Sequence, residues 1–559
     1  MRRTALFIYT LIVCIATVSA QTPNWSAKAA KAVFTLKTFA TDGSLLGSSN
    51  GFFITEDGVA LGPLSPFRGA SRAVIIDAAG KEYAVEYMLG ANEIYDVAKF
   101  RIANHKTTPL AITPNAEPNG ATVWQLPYST KKVPTCQQMS ITKAETFQTS
   151  YTYYTLSART EENTAGSPVL NKNGDVIGLI QPSTVANASA SYAVSAPFAK
   201  ALKITGLSIN DATLKSTSIP KDLPDEADQA LLTLYVAGSS LPASQQEALI
   251  NRFIEKFPTQ ADGYIYRARL NTANAKFAEA DRDIKQAIQL AEKKDDAHYN
   301  YALLILQQLD NYPDKPYSEW TLDKAMEEAQ EAYRIQPLPA YRQQQAQILF
   351  AQKKYDEAYQ LFIELADNGM RNAEIYYAAS QCKLLQGDST AMLALLDSAV
   401  NTFSKPYLKP AAPYLLVRAQ ARYEAGQYRK AVGDYNEYEK LMRTTLNDQF
   451  YYFREQAEVS GKLYKQALAD IEKAIELSPA TPLYYAEKAS IEVRVGMTDE
   501  AIATAQQCIR IAPQQSDGYL FLGLAQCIKG KKSEGVANLT KAKELGNGQA
   551  QSLIDKYSR

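Results

Sequence analysis

The chain has 559 residues, of which 46% are hydrophobic and 21% charged, with 59 Lys and Arg against 59 Asp and Glu. That length exceeds what one hydrophobic core organises, so at least two domains are expected, and a net charge of zero gives no support to a nucleic-acid or polyanion partner. Two histidines and five widely spaced cysteines remove most transition-metal sites and the disulfide-dense small folds, no calcium loop of EF-hand spacing is present, and no cofactor is expected.

The first residues read as a secretory signal peptide over 1–20: Arg2 and Arg3, an apolar stretch from Ala5 to Val18, then the small-x-small pattern Val18-Ser19-Ala20 before Gln21. A lipoprotein signal using Cys14 ranks second, because Val13 is large where a small residue is needed. Later apolar stretches such as Ala302 to Leu306 are too short to cross a bilayer. The expected location is therefore outside the cytoplasm, periplasmic first, with extracellular or envelope-associated placement as alternatives. Cys136, Cys382, Cys508 and Cys527 remain after cleavage, and the last two, on neighbouring predicted helices, are either paired or two buried thiols.

Residues 21–206 contain short runs rich in Val, Ile, Phe, Tyr and Thr, broken by Gly, Asn and Asp. Ala32-Val33-Phe34-Thr35-Leu36, Gly51-Phe52-Phe53-Ile54-Thr55 and Ala73-Val74-Ile75-Ile76 predict strands and hairpins. A polar connector is expected over 207–225. Beyond it, Ala, Gln, Leu, Lys and Tyr recur at three- and four-residue intervals, which predicts helices.

The helical part repeats. Ala467, Ala501 and Gly535 lie 34 residues apart, as do Ala474, Cys508 and Ala542, and Pro479 and Pro513 close successive units. Small residues recur where two helices of a unit must cross closely: Ala268, Ala302, Ala346, Ser380, Ala419, Ala489 and Gly523 on the first helix. Glu455 breaks that rule once and reads as a local irregularity. Unit starts are predicted near Ala227, Ala261, Asp295, Pro339, Ala373, Ala412, Asp448, Pro482 and Ser516, with an insertion from Asp310 to Trp320. The period resembles that of the tetratricopeptide repeat, which implies a superhelical solenoid of about nine helix-turn-helix units over 226–549 and a capping helix over 550–559.

The N-terminal landmarks resemble the chymotrypsin-fold serine proteases, most nearly the Deg/HtrA-like branch of the trypsin-like family. Gly51 to Gly58 looks like that family's first-barrel strand and turn, and Tyr95-Asp96-Val97-Ala98 looks like its aspartate-bearing strand. Asn163-Thr164-Ala165-Gly166-Ser167-Pro168 looks like its nucleophile turn, and Ser191 to Ser195 like a strand lining the substrate cleft. The resemblance implies an all-β double barrel and places the triad positions at Ser65, Asp96 and Ala165. Serine attacks in that mechanism and histidine takes its proton. Ala165 and Ser65 can do neither, and losing either partner lowers turnover on the order of 10⁶. The expectation is a pseudo-protease, with Asp96 left as an acceptor for nearby donors. A rival reading keeps peptidase activity through Ser65 or Ser167.

In four consecutive units the ninth residue of the first helix is glutamine: Gln347, Gln381, Gln420 and Gln456. The tetratricopeptide resemblance implies that this position faces the concave groove, where an amide both donates to and accepts from a peptide backbone. Gln343, Tyr377, Leu416 and Tyr452, with Phe350, Leu384, Tyr423 and Val459, would form pockets beside the amides. The alternative is a solvated helix face. The functional expectation is an exported, non-catalytic scaffold that binds a polypeptide in the groove as part of a cell-envelope complex. A chaperone-like holder of unfolded chains is the other binding alternative.

Overall fold

Alternating burial along Val33–Phe39 (β1) turns Phe34, Leu36 and Thr38 inward and leaves the intervening residues nearer solvent. In this computed structural model, which describes residues 23–558 except 104, 133, 149 and 183–188, the same pattern builds two closed barrels. The expected signal peptide lies outside the described residues.

The first barrel comprises β1, Leu45–Phe53 (β2), Val59–Gly62 (β3), Arg72–Ile76 (β4), Glu82–Asn92 (β5) and Val97–Ile102 (β6), in the order β1-β2-β3-β6-β5-β4. The second comprises Thr122–Gln125 (β7), Gln137–Phe147 (β8), Tyr151–Leu156 (β9), Pro168–Leu170 (β10), Val176–Ile180 (β11) and Ser191–Ser195 (β12), in the order β10-β11-β12-β9-β8-β7. All the pairings within them are antiparallel. Phe34, Phe53, Phe67, Met88 and Phe100 fill the first barrel, and Val123, Ile141, Tyr154, Val169 and Ile177 the second. A further apolar layer, including Phe52, Leu61 and Val97 from one and Leu126, Leu179 and Val194 from the other, joins them.

Short helices at Ser26–Ala29 (α1), Ala196–Ala201 (α2) and Ala212–Lys215 (α3) pack on this framework. Residues 207–225, expected as a polar connector, are folded against the first barrel instead. Leu214 and Ile219 enter its core, Ser218 N–H donates to Ala70 O at 2.8 Å, and Met88 N–H donates to Pro220 O at 2.8 Å. The average polarity of the segment concealed two apolar anchors.

The helical repeats follow as Ala227–Ser240 (α4), Ala243–Lys256 (α5), Ala261–Ala273 (α6), Phe277–Leu290 (α7), Asp295–Asn311 (α8), Leu322–Ile335 (α9), Pro339–Ala351 (α10), Tyr355–Asp367 (α11), Ala373–Leu385 (α12) and Ser389–Asn401 (α13). They continue as Ala412–Glu424 (α14), Tyr428–Met442 (α15), Asp448–Ser460 (α16), Tyr464–Leu477 (α17), Pro482–Val495 (α18), Thr498–Ile511 (α19), Ser516–Ile528 (α20), Lys532–Glu544 (α21) and Ala550–Tyr557 (α22). Two compact units result, Met1–Ala291 and Glu292–Arg559. The first therefore holds both barrels together with α4 to α7, and the second holds α8 to α22.

The small residues sit at helix crossings. Ala346 and Ala358, Ala419 and Ala431, and Ala489 and Ala501 are fully buried. A Cβ on Gly523 would lie 2.7 Å from Gly535 O, and one on Gly535 would lie 2.7 Å from Gly523 O, so the α20–α21 backbones touch directly. Glu455 occupies the corresponding place on α16 and is likewise fully buried.

Candidate functional site

Three barrel segments bring the triad-like positions into one region. A 3-10 turn, Glu162–Thr164, leads into the half-buried Ala165, and Gly166 follows with φ +83°. A Cβ on Gly166 would run into the carbonyl of Asn50 and the ring of Pro63, so the turn lies directly on β2 and on the segment leading to Ser65. Asn50, itself buried, fastens this arrangement. Its N–H donates to Ala165 O at 2.8 Å, its Nδ2 donates to Asn163 O at 2.6 Å, and its Oδ1 accepts from Tyr128 N–H at 2.6 Å.

Ser65 and Asp96 meet. Asp96 Oδ1 accepts from Ser65 N–H at 2.6 Å and its Oδ2 accepts from Ser65 Oγ at 3.0 Å, while Asp96 O accepts from Leu64 N–H at 3.3 Å. The aspartate adopts φ +46°, an uncommon conformation for a residue with a side chain, and its carboxylate is held by those two donors. Ala165 contributes a methyl group.

The amides of the turn are largely committed inside it: Thr164 N–H to Glu161 O, Gly166 N–H to Ile180 O and Ser167 N–H to Thr164 O, at 2.8–3.0 Å. Ser167 is fully buried, donates its hydroxyl to Thr164 O and accepts from Gln125 Nε2 at 3.4 Å. That hydroxyl is engaged within the turn and with β7. The strand Ser191–Ser195, expected to line a cleft, pairs with β9 on one edge and β11 on the other, which leaves it no free edge for an added peptide strand.

Both histidines are engaged elsewhere. His105 stacks on Tyr83 with ring centroids 4.1 Å apart, and His298 Nδ1 lies 2.5 Å from Glu328 Oε2. Cys136, Cys382, Cys508 and Cys527 are free thiols, and burial pushes those of Cys136, Cys382 and Cys508 up to about 11, away from thiolate chemistry. Among the described residues no cluster of His, Cys, Asp and Glu has the form of a metal site.

The helical candidates lie at equivalent places on α10, α12, α14 and α16. Gln347 and Gln420 are exposed, and Gln381 and Gln456 are half-buried. Gln347 lines an open cavity of about 1070 Å³ with Leu303, Leu306, Leu309 and Trp320, a space bounded by the residues flanking the 310–320 insertion. Gln343 Nε2 donates to Glu374 Oε1 at 3.0 Å, linking α10 to α12. Aromatic contacts run beside the amides: Phe350 with Tyr355, Tyr377 with Tyr414, Tyr423 with Tyr428 and Tyr452 with Tyr484, at centroid separations of 5.5–6.0 Å. Gln381 Nε2 and Gln456 Nε2 each donate to the preceding side chain, to Ser380 Oγ at 3.4 Å and to Glu455 Oε2 at 2.7 Å.

Sequence reasoning missed a recurring ion pair. Arg267, Arg418 and Arg454 each grip the aspartate sixteen residues later, Asp283, Asp434 and Asp470, through two nitrogens at 2.6–2.9 Å. The signal was present as an Arg-to-Asp interval of 16 in three units, each joining the first helix of its hairpin to the second.

Comparison with known proteins bears on both parts. Residues 26–179 match the family model of the trypsin-like peptidase domain. The Rv3671c protease from M. tuberculosis in its active form is similar at 18% identity and TM-score 0.27, over 35% of this chain and 90% of that one. An inactive serine-to-alanine mutant of the same protein is similar at 20% identity and TM-score 0.26, over 31% and 85%. The small glutamine-rich tetratricopeptide repeat-containing protein 2 of Mycosarcoma maydis is 34% identical over 87 residues, 16% of this chain and 25% of that protein. Its namesake from Saccharomyces cerevisiae is 28% identical over 98 residues, 18% of this chain and 28% of that protein. The chain thus spans about a quarter of the length of the curated relatives it matches. A trypsin-like double barrel is joined to an all-helical repeat region. Among the described residues no helix is long and apolar enough to cross a membrane.

Proposed function

We propose that this protein is an exported, non-catalytic scaffold whose repeat helices hold a polypeptide partner and whose barrel is a pseudo-protease. The observation that carries the reading is the pairing of Ser65 with Asp96 opposite a turn that ends in Ala165. The aspartate that would orient a general base is satisfied by a serine amide and hydroxyl, and the attacking position bears a methyl group. The amides Gln347, Gln381 and Gln420 and the aromatic residues beside them suit an extended peptide, whose backbone offers the complementary donors and acceptors. The small-x-small pattern at Val18-Ser19-Ala20 supports export, and the periplasm with a cell-envelope complex is the setting proposed.

The full-length protein should not react with a fluorophosphonate probe and should not cleave casein. It should retain a polypeptide partner from envelope extracts, and a combined Gln347→Ala and Gln420→Ala variant should release at least tenfold more of it. Covalent labelling lost on Ser65→Ala would overturn the non-catalytic reading, and undiminished partner retention by the double variant would overturn the groove.

A further inference from the structure

At the crossing of α16 with its neighbours Glu455 stands where the equivalent crossings hold alanine, serine or glycine, and Glu458 follows three residues later. Glu455 is fully buried and Glu458 is 3% exposed, and Glu455 Oε1 and Glu458 Oε2 are both buried without a hydrogen-bond partner. Further carboxyls surround them. Asp470 faces the pair from α17 and Glu487 faces Glu455 from α18, while Glu439 of α15 faces Asp470. The cation at this crossing is Arg454, whose donors are taken by Asp470 at 2.6 and 2.8 Å and by Glu439 at 2.7 Å. Tyr452 on α16 lies beside Glu455 and Glu487.

An ionised carboxylate here would be desolvated, short of donors and repelled by its neighbours, whereas a protonated one is neutral and can itself donate. We propose that the packing of α16 against α17 and α18 is a proton-held joint, closed while Glu455 and Glu458 carry protons and loosened when they ionise. Burial, with Glu487 alongside, pushes the Glu455 carboxyl up to about 8. Burial and the nearby Asp470 raise that of Glu458, and burial raises that of Glu487. Burial raises Asp470 too, against the opposing Arg454; the two-point grip of that arginine keeps the charge on Asp470 and the proton on Glu458.

The direction follows. In an opened joint these carboxyls ionise near their ordinary pKa of about 4.3, and in the closed joint only near about 8, so closure weakens as pH rises through that window and levels off above it. The inference does not depend on ligand binding, and its test uses none. Hydrogen exchange of the full chain, normalised for intrinsic base catalysis, should show the opening equilibrium of α16–α18 rising by up to about tenfold per pH unit for each carboxyl between about pH 5 and 8. The α20–α21 amides should stay level. A combined Glu455→Gln and Glu458→Gln variant should flatten the α16–α18 slope. Should that variant fail to fold, Glu455→Ala, which restores the residue of the neighbouring units, should halve the slope with helicity retained. A level wild-type profile, or an unchanged slope in the variant that folds, would overturn the joint.

Discussion

Asn50 shows how much one side chain holds in the barrels. Its amide group reaches Asn163 O and Tyr128 N–H, both contributed by the second barrel, while the residue itself lies on β2 of the first. Asn50→Ala leaves a carbonyl and an amide without partners. At about 1–3 kcal/mol for each unsatisfied group, a loss of about 2–6 kcal/mol is expected in a urea melt. A change of less than about 0.5 kcal/mol would mean that water replaces both bonds. Neither bond was legible in the sequence: the partners of Asn50 lie 78 and 113 residues away, and contacts at that range leave no local pattern. Ala165 and Ser65 were legible because each is a departure from a recognisable motif.

The hairpin is the next scale. The 34-residue period and the small residues at crossings were readable because each unit solves the same packing problem, so the same volumes return at the same places. The Arg-to-Asp grip was harder to read, occurring in three units only. In the α14–α15 hairpin, Arg418 and Asp434 are nearly buried and lie 2.7 Å apart, with Asp397 also on Arg418 at 3.1 Å. Arg418→Ala takes two of the charged hydrogen bonds from Asp434 and leaves it with Arg422 at 2.8 Å, and should destabilise the protein by up to about 3 kcal/mol. Arg334→Ala, which removes an exposed pair with Glu331 within α9, should be indistinguishable from wild type in the same melt. Equal effects of the two substitutions would show that the buried pair is fully solvated in practice. Glu455 was visible as an exception to the small-residue rule, but its consequence depends on Asp470 and Glu487, which only the folded chain brings near it.

At the scale of the whole molecule, the order of the parts followed from composition, and the join between barrel and helices did not. Asp222 is almost completely buried and gathers Arg252 at 3.1 Å, with Arg101 and Lys256 at 3.7 Å, so β6 and α5 are held to one carboxylate. Arg252 also lies over the Tyr87 ring at 4.8 Å, and Lys256 Nζ donates to Leu223 O at 2.7 Å. The stretch 207–225 is thereby a structural part of the Met1–Ala291 unit. Brief trypsin treatment of the folded protein should spare Lys215 and Lys221 while cutting at Arg443, in the exposed turn between α15 and α16. Early cleavage at Lys215 would show that the segment is loosely held.

The contact between Ser65 and Asp96 has an evolutionary corollary on the reading proposed above. A serine restored at position 165 would find no imidazole, and an imidazole restored at position 65 would find no nucleophile, so neither reversion alone yields a hydrolase for selection to favour. On that reading a lineage carrying this barrel would have crossed a ratchet: hydrolysis would lie two coordinated changes away, and the intervening sequences would gain nothing from either one.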